Sequence, residues 1–164
     1  MNRNQQKAFN LLELLMALTV LAILISIIPP SYSHFIERNH TQVVRDELLA
    51  HLHFTRAQSV NARSSHTLCG SADGQTCNGN WNNIWLVRRT HDQRILRRFT
   101  PESQGQLCWR GFGGNQVVFR ANGMSSASNG RFSFCKDKQP LWQVVINRQG
   151  RFKIDKPESN VNCC

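Results

Sequence analysis

Lys7-Ala8-Phe9-Asn10-Leu11-Leu12-Glu13-Leu14-Leu15-Met16-Ala17 decides how the rest of this chain is read. A short leader with two basic residues, Arg3 and Lys7, ends at the small residue Ala8. Phe9 then opens an apolar run that reaches Ile28 and carries one carboxylate, Glu13. A helix of about 20 such residues is long enough to cross a bilayer. An acid at that depth costs about 2.5–3.5 kcal/mol, so Glu13 either serves a function or snorkels to the interface. Arg3 and Lys7 precede the span and set the N-terminus in the cytoplasm, which leaves the remainder across the membrane. An ordinary secretory signal competes, with small residues at Ser31-Tyr32-Ser33 for a cut site. Its apolar core is normally shorter and free of acids.

Pro29-Pro30 removes two backbone donors just past the run, and a kink or break is expected there. A second helix is predicted from about Ser33 to Ala62. Val44, Leu48 and Leu52 recur every four residues, with Ile36 before and Ala62 after, as one apolar stripe that packs on the head. Beyond Arg63 the pattern changes to short strands and turns. Leu68 to Cys77 reads as a turn-rich loop of Gly, Ser and Asp, which a Cys69–Cys77 bridge would close. Ile84-Trp85-Leu86-Val87 leads through Thr90–Gln93 into Arg94–Phe99 as a hairpin. Further strands are expected at Val117–Phe119, Arg131–Phe134, Trp142–Ile146 and Arg151–Ile154. The fold class is α+β: a long N-terminal helix, transmembrane and then amphipathic, with a globular antiparallel β-sheet head. The expected divisions are a leader at 1–8, a membrane helix at 9–30, an amphipathic helix at 31–64 and a β-rich head at 65–164.

The net charge of +10 is unevenly spread. Residues 9–64 are neutral, whereas 65–164 hold 14 Lys and Arg against six acids, or +8. A basic head on a neutral stalk points to an anionic partner such as nucleic acid or acidic lipid, or to a merely soluble basic surface. Six cysteines in a compartment outside the cytoplasm read as a disulfide framework with 15 possible pairings. No Cys-x-x-Cys pair occurs, and His51 and His53 stand two apart on a helix, facing apart, so no metal is expected. Phosphate-loop, zinc-helix and nucleophile-elbow patterns are absent, and the acids show no catalytic pairing. Neither catalysis nor a cofactor is expected.

The best functional constellation is the terminal hairpin, Val144 to Lys156. Gly150 can take the left-handed conformation that a three-residue turn needs. With period two, Phe152 and Ile154 point to the core while Arg151 and Lys153 are displayed beside Arg148 and near Lys156. Lys136 and Lys138 join them if Cys135 is bridged to the tail. Such a stripe suits phosphate contacts, or is a solvated strand face whose Lys guards an edge. A second basic set, Arg88, Arg89, Arg94, Arg97 and Arg98, reads as ordinary surface.

The N-terminal stretch resembles the type III signal of type IV pilins and type II secretion pseudopilins. Ala8 stands where that family usually has Gly, and Asn10 where Thr is common. The resemblance implies cleavage by a prepilin peptidase between Ala8 and Phe9, N-methylation of Phe9, and a role for Glu13 in assembly. The head resembles the FimT/GspH class through Leu68 to Cys77 with Asn80-Trp81, Val118-Phe119 to Asn122-Gly123, Phe132-Ser133-Phe134-Cys135, and Asn147-Arg148-Gln149-Gly150-Arg151. The class implies a lollipop shape and a second bridge from Cys135 to Cys163 or Cys164, with Cys108 free to take the other. FimT-type pilins use a Gly-Arg-x-Arg element for DNA uptake, and the matching residues here are Gly150-Arg151-Phe152-Lys153. Lys keeps the charge but loses the bidentate fork. The implied partners are double-stranded DNA, other pilins, the assembly platform, the prepilin peptidase and the inner membrane. The implied location is that membrane and then a surface pilus. A structural minor pilin without DNA binding, or a secretion pseudopilin touching exported proteins, stands as the alternative.

Overall fold

A computed structural model of the protein describes residues 10–125, 127–157 and 163, without the side chains of 26–34, 37 and 38. Its order is one helix and eight strands: α1 (Leu11–Asn61), β1 (His66–Ser71), β2 (Ile84–Arg89), β3 (Ile95–Phe99), β4 (Gln106–Gly111), β5 (Gln116–Phe119), β6 (Gly130–Lys136), β7 (Gln139–Ile146) and β8 (Phe152–Asp155). The chain divides into two compact units between Asn39 and His40.

In the first unit, α1 opens with Glu13 and Leu14 N–H donating to Asn10 O at 2.9 and 3.1 Å. An acid in the first turn complements the positive helix end. Of the kink or break expected at Pro29 and Pro30, the break does not occur, since the helix continues through both. Each proline withholds one donor, and the element continues through both. The side chains from Leu11 (73 % exposed) to Ile25 (58 %) are uncovered all round. Among the described residues, no helix is long and apolar enough to cross a membrane, the described side chains of the run stopping at Ile25.

In the second unit, Val44, Leu48 and Leu52 are buried, and the buried stripe continues through His51, Thr55 and Ser59 rather than to Ala62, which is exposed. The polar members carry their own partners: Thr55 Oγ1 donates to His51 O at 2.6 Å and Ser59 Oγ to Arg56 O at 2.7 Å. Burying each Leu contributes about 1.5–3 kcal/mol.

Where one sheet was expected there are two, both four-stranded and antiparallel, in the orders β3-β2-β1-β5 and β4-β6-β7-β8. Period-two alternation builds one core from both. Leu68, Trp85, Val87, Val117 and Phe119 come from the first sheet, and Leu107, Phe132, Phe134, Trp142, Val144 and Ile146 from the second. The helix meets both. His51 lies 4.8 Å from Phe99, ring centre to ring centre, and Trp142 Nε1 donates to Thr41 O at 2.9 Å.

Two strands differ from the sequence expectation. Leu68–Ser71, expected as loop, lies in β1, whose six residues are all buried. Gly70 is there for close approach and not for a turn, since a Cβ would strike the Asn80–Trp81 backbone. β4, which no pattern announced, pairs with β6 and puts Leu107 beside Phe134 and Trp109 beside Phe132.

Candidate functional site

Ala8 and Phe9 lie outside the described residues, and Glu13 occupies the first turn of α1. The other expected site residues are carried by the second unit.

The β7–β8 connection is held from several sides. Gly150 has φ +72°. Its N–H donates to Asn147 O at 2.9 Å, Asn147 N–H donates to Arg151 O at 3.1 Å, and Arg151 N–H donates to Asn147 Oδ1 at 2.9 Å. Ser125 braces the turn from outside, its N–H on Arg148 O at 3.1 Å and its Oγ on Asn147 O at 2.8 Å. Arg148 and Arg151 stand exposed on this ordered turn.

Along β8, Phe152 packs inward, 5.9 Å from Phe119 and 4.7 Å from His53. Ile154 does not reach the core and is 48 % exposed. Edge strand β8 has β7 on one side only, so little covers its far end. Lys153 is displayed on the outer face with its Nζ 3.0 Å from Asp155 Oδ1, so its charge is partly met within the strand. Lys156 follows, exposed.

Lys136 and Lys138 do not join Arg148 and Arg151. Cys135 is bridged to Cys163, with Cα atoms 6.0 Å apart. The β6–β7 turn nevertheless lies at the opposite end of β7 from the β7–β8 turn, about 24 Å away at 3.4 Å per residue over Gln139–Ile146. Asp137 and Lys138 both adopt positive φ in that turn, as a two-residue hairpin of the I′ kind requires.

Register brings together residues that sequence distance had hidden. Arg110 faces Arg131, Arg131 faces Val145, and Val145 faces Lys153 across β4, β6, β7 and β8. Their neighbours Trp109, Phe132, Val144 and Phe152 point to the core, so this row lies on the outer face. Arg110, Arg131 and Lys153 are exposed. Arg151, two residues before Lys153, continues the same face. Arg110 and Arg131 are like charges set directly opposite each other. The signal available beforehand was the alternation Leu107-Cys108-Trp109-Arg110 against Arg131-Phe132-Ser133-Phe134.

Three of the five arginines of the β2–β3 set have local partners. Arg97 lies over the Phe54 ring at 5.0 Å, Arg89 reaches Asp92 at 3.2 Å, and half-buried Arg88 reaches Gln116 at 3.5 Å.

Cys69 and Cys77 are bridged with Cα atoms 5.6 Å apart. Cys108 is also disulfide-bonded, and no described cysteine is free. Cys164 lies outside the described residues. Inside the Cys69–Cys77 loop, the Asp73 carboxylate accepts the N–H of Thr76 and Gln75 and the hydroxyls of Thr76 and Ser71, all at 2.8–2.9 Å. Those donors hold it far below the usual carboxylate range. Among the described residues no group of three His, Cys, Asp or Glu is placed to hold a metal.

A helix packed on two antiparallel sheets with a bridged, basic head defines a class, the minor pilins and pseudopilins. The family model described as "Type II transport protein GspH" matches residues 45–150. The chain belongs to that family, within the FimT/GspH class of type IV minor pilins and pseudopilins. Two crystal forms of the type IV minor pilin FimU from Pseudomonas aeruginosa share the fold. One is 19 % identical over 74 % of this chain and 92 % of that one, with TM-score 0.60. The other is 16 % identical over 70 % and 92 %, with TM-score 0.57. The minor pseudopilin EpsH of the Vibrio cholerae type II secretion system is more distant, 11 % identical over 76 % and 96 %, with TM-score 0.48. No curated protein matches the chain in sequence.

Proposed function

We propose that this is a minor pilin of a type IV pilus, incorporated in or near the tip, whose basic head captures extracellular double-stranded DNA for uptake in natural transformation. The prepilin peptidase removes residues 1–8, Phe9 is methylated, and residues 9–30 hold the protein in the inner membrane with its head outside the cytoplasm. Glu13 then offsets the charge of a neighbouring N-terminus as the pilin enters the filament. Residues 31–64 bridge to the head at 65–164. The uncovered apolar side chains of Leu11–Ile25 support an environment of lipid or other pilin helices for that segment.

The observation that carries DNA binding is the exposed outer-face row Arg110, Arg131 and Lys153, extended by Arg151 and Arg148 on a braced turn. β4, β6, β7 and β8 contribute one acid, Asp155, and Lys153 engages it. Phosphate contact needs displayed cations in fixed positions and no particular base, which fits non-specific capture.

The family description as a transport protein favours a second reading, a type II secretion pseudopilin that contacts exported proteins. A salt titration of the full chain in mild detergent against blunt double-stranded DNA separates them. Binding that weakens as salt rises, and that is largely abolished on changing Arg148, Arg151 and Lys153 to Gln, supports capture. No binding at low salt leaves the structural or secretion role.

A further inference from the structure

We infer that Phe112, together with Arg110 and Arg131, forms a stacking site for an unpaired base, so that the head engages single-stranded DNA or frayed duplex ends. This rests on the DNA-binding reading and adds a second, chemically distinct contact to it.

Phe112 is 68 % exposed, the most exposed large apolar side chain of the second unit among the described residues. It is not on a loose loop. Its N–H donates to Asn129 O at 3.0 Å, which carries the β4–β6 ladder one pair beyond Gly111–Gly130. Trp109 Nε1, from the half-buried ring that packs 4.6 Å from Phe132, donates to Gly114 O at 3.0 Å and pins the far side. Gly113 has φ +84°, and a Cβ there would strike Ala127 O. The loop is therefore tied down at both ends and presses on its neighbour, with its aromatic ring held out in water.

The ladder also brings Arg110 and Arg131 to the same end of the sheet as Phe112. Leu107 and Trp109 face the core, so Cys108 and Arg110 share the outer face, and Phe112 follows just past the end of β4. Phe112 comes two residues after Arg110, and Arg131 lies directly across from Arg110. A flat apolar face beside two guanidinium groups matches one nucleotide, with the base on the ring and the phosphate at the arginines. A blunt duplex keeps its base faces stacked and offers Phe112 nothing except at its ends.

Fluorescence anisotropy on the full chain in mild detergent tests this with a blunt duplex, the same duplex carrying a thymine overhang, and a thymine single strand. The wild type is expected to bind the overhang duplex about tenfold or more tighter than the blunt one. Phe112→Ala should abolish that preference and leave blunt affinity unchanged, while Phe112→Trp should keep it. Arg110→Gln with Arg131→Gln should weaken the single strand and reduce its salt dependence. A preference that survives Phe112→Ala overturns the inference while leaving duplex capture intact. So does an equal loss on all three DNAs. Phe112-dependent binding of the single strand without any duplex binding overturns duplex capture and supports the stacking site. Binding of none overturns both.

Discussion

Gly150 sits hard against Gly123: a Cβ at position 150 would enter the space of the Gly123 carbonyl oxygen, which accepts from Arg56 Nε at 3.1 Å. The turn that displays Arg148 and Arg151 is thus packed against the loop that Arg56 of α1 holds. Gly150→Ala adds both that collision and the strain of a positive φ. It is expected to cost about 1–3 kcal/mol in urea unfolding and to weaken DNA binding by displacing the turn, at unchanged net charge.

His51 gives the head a pH dependence. Its ring is buried between Trp85 and Phe99, with Nδ1 2.8 Å from Glu47 O and Nε2 without a hydrogen-bond partner among the described residues. Burial lowers its pKa below 6.5; the bond to Glu47 O opposes this, nearby Arg97 adds to it, and the Glu47 carboxylate opposes. Both folded and unfolded chains hold it neutral above pH 6.5. As pH falls through 6.5 the unfolded chain takes up the proton first, so stability is lost in that direction. Urea midpoints should fall from pH 7 to pH 5 in the wild type, and that slope should flatten in His51→Phe.

The Cys69–Cys77 bridge closes a short loop that Asp73 also ties down through four donors. Removing a closure of this length from the unfolded chain restores about 2–3 kcal/mol of entropy to it. Cys69→Ser with Cys77→Ser is expected to lose that much stability in denaturant melts, with the two sheets intact by circular dichroism.

How far these features are legible in the sequence depends on how local their cause is. The β7–β8 hairpin can be read because Gly150 and the alternation around Phe152 are adjacent signals. β1 reads wrongly as loop because Gly70 and Ser71 look like turn residues; Gly70 is instead required by the Asn80–Trp81 backbone packing on it. Arg110 and Arg131 are 21 positions apart in sequence yet cross-strand neighbours, since register is fixed by the whole sheet. The same non-locality separates Lys136 and Lys138 from Arg148 and Arg151, although one β7 strand joins them. The helix through Pro29-Pro30 shows the converse, a strong local breaker that does not end its element.

Glu13 lies in the first turn of α1 amid uncovered apolar side chains. A carboxylate there is costly in lipid unless a cation meets it. Glu13→Val is therefore expected to leave cleavage of the leader normal, since the cut site is unchanged, and to impair incorporation into filaments. Immunoblots for the mature form in membranes and in sheared filaments measure the two steps separately. Normal incorporation of this variant would remove the assembly role from Glu13.

The two ends of β7 make different predictions for DNA. Arg148 and Arg151 stand beside the Arg110–Arg131–Lys153 row, whereas Lys136 and Lys138 lie about 24 Å away. Removing one cation that touches a phosphate lowers the slope of log affinity against log salt by about one. Changing Arg148 and Arg151 to Gln should lower that slope by about two and reduce affinity most at low salt. Changing Lys136 and Lys138 to Gln removes the same net charge, so a merely diffuse attraction would respond equally to both pairs. A duplex seated across the β7–β8 end of the sheet instead responds to the arginine pair and little to the lysine pair. Equal responses to both pairs would mean that the head attracts DNA by overall charge without a seat.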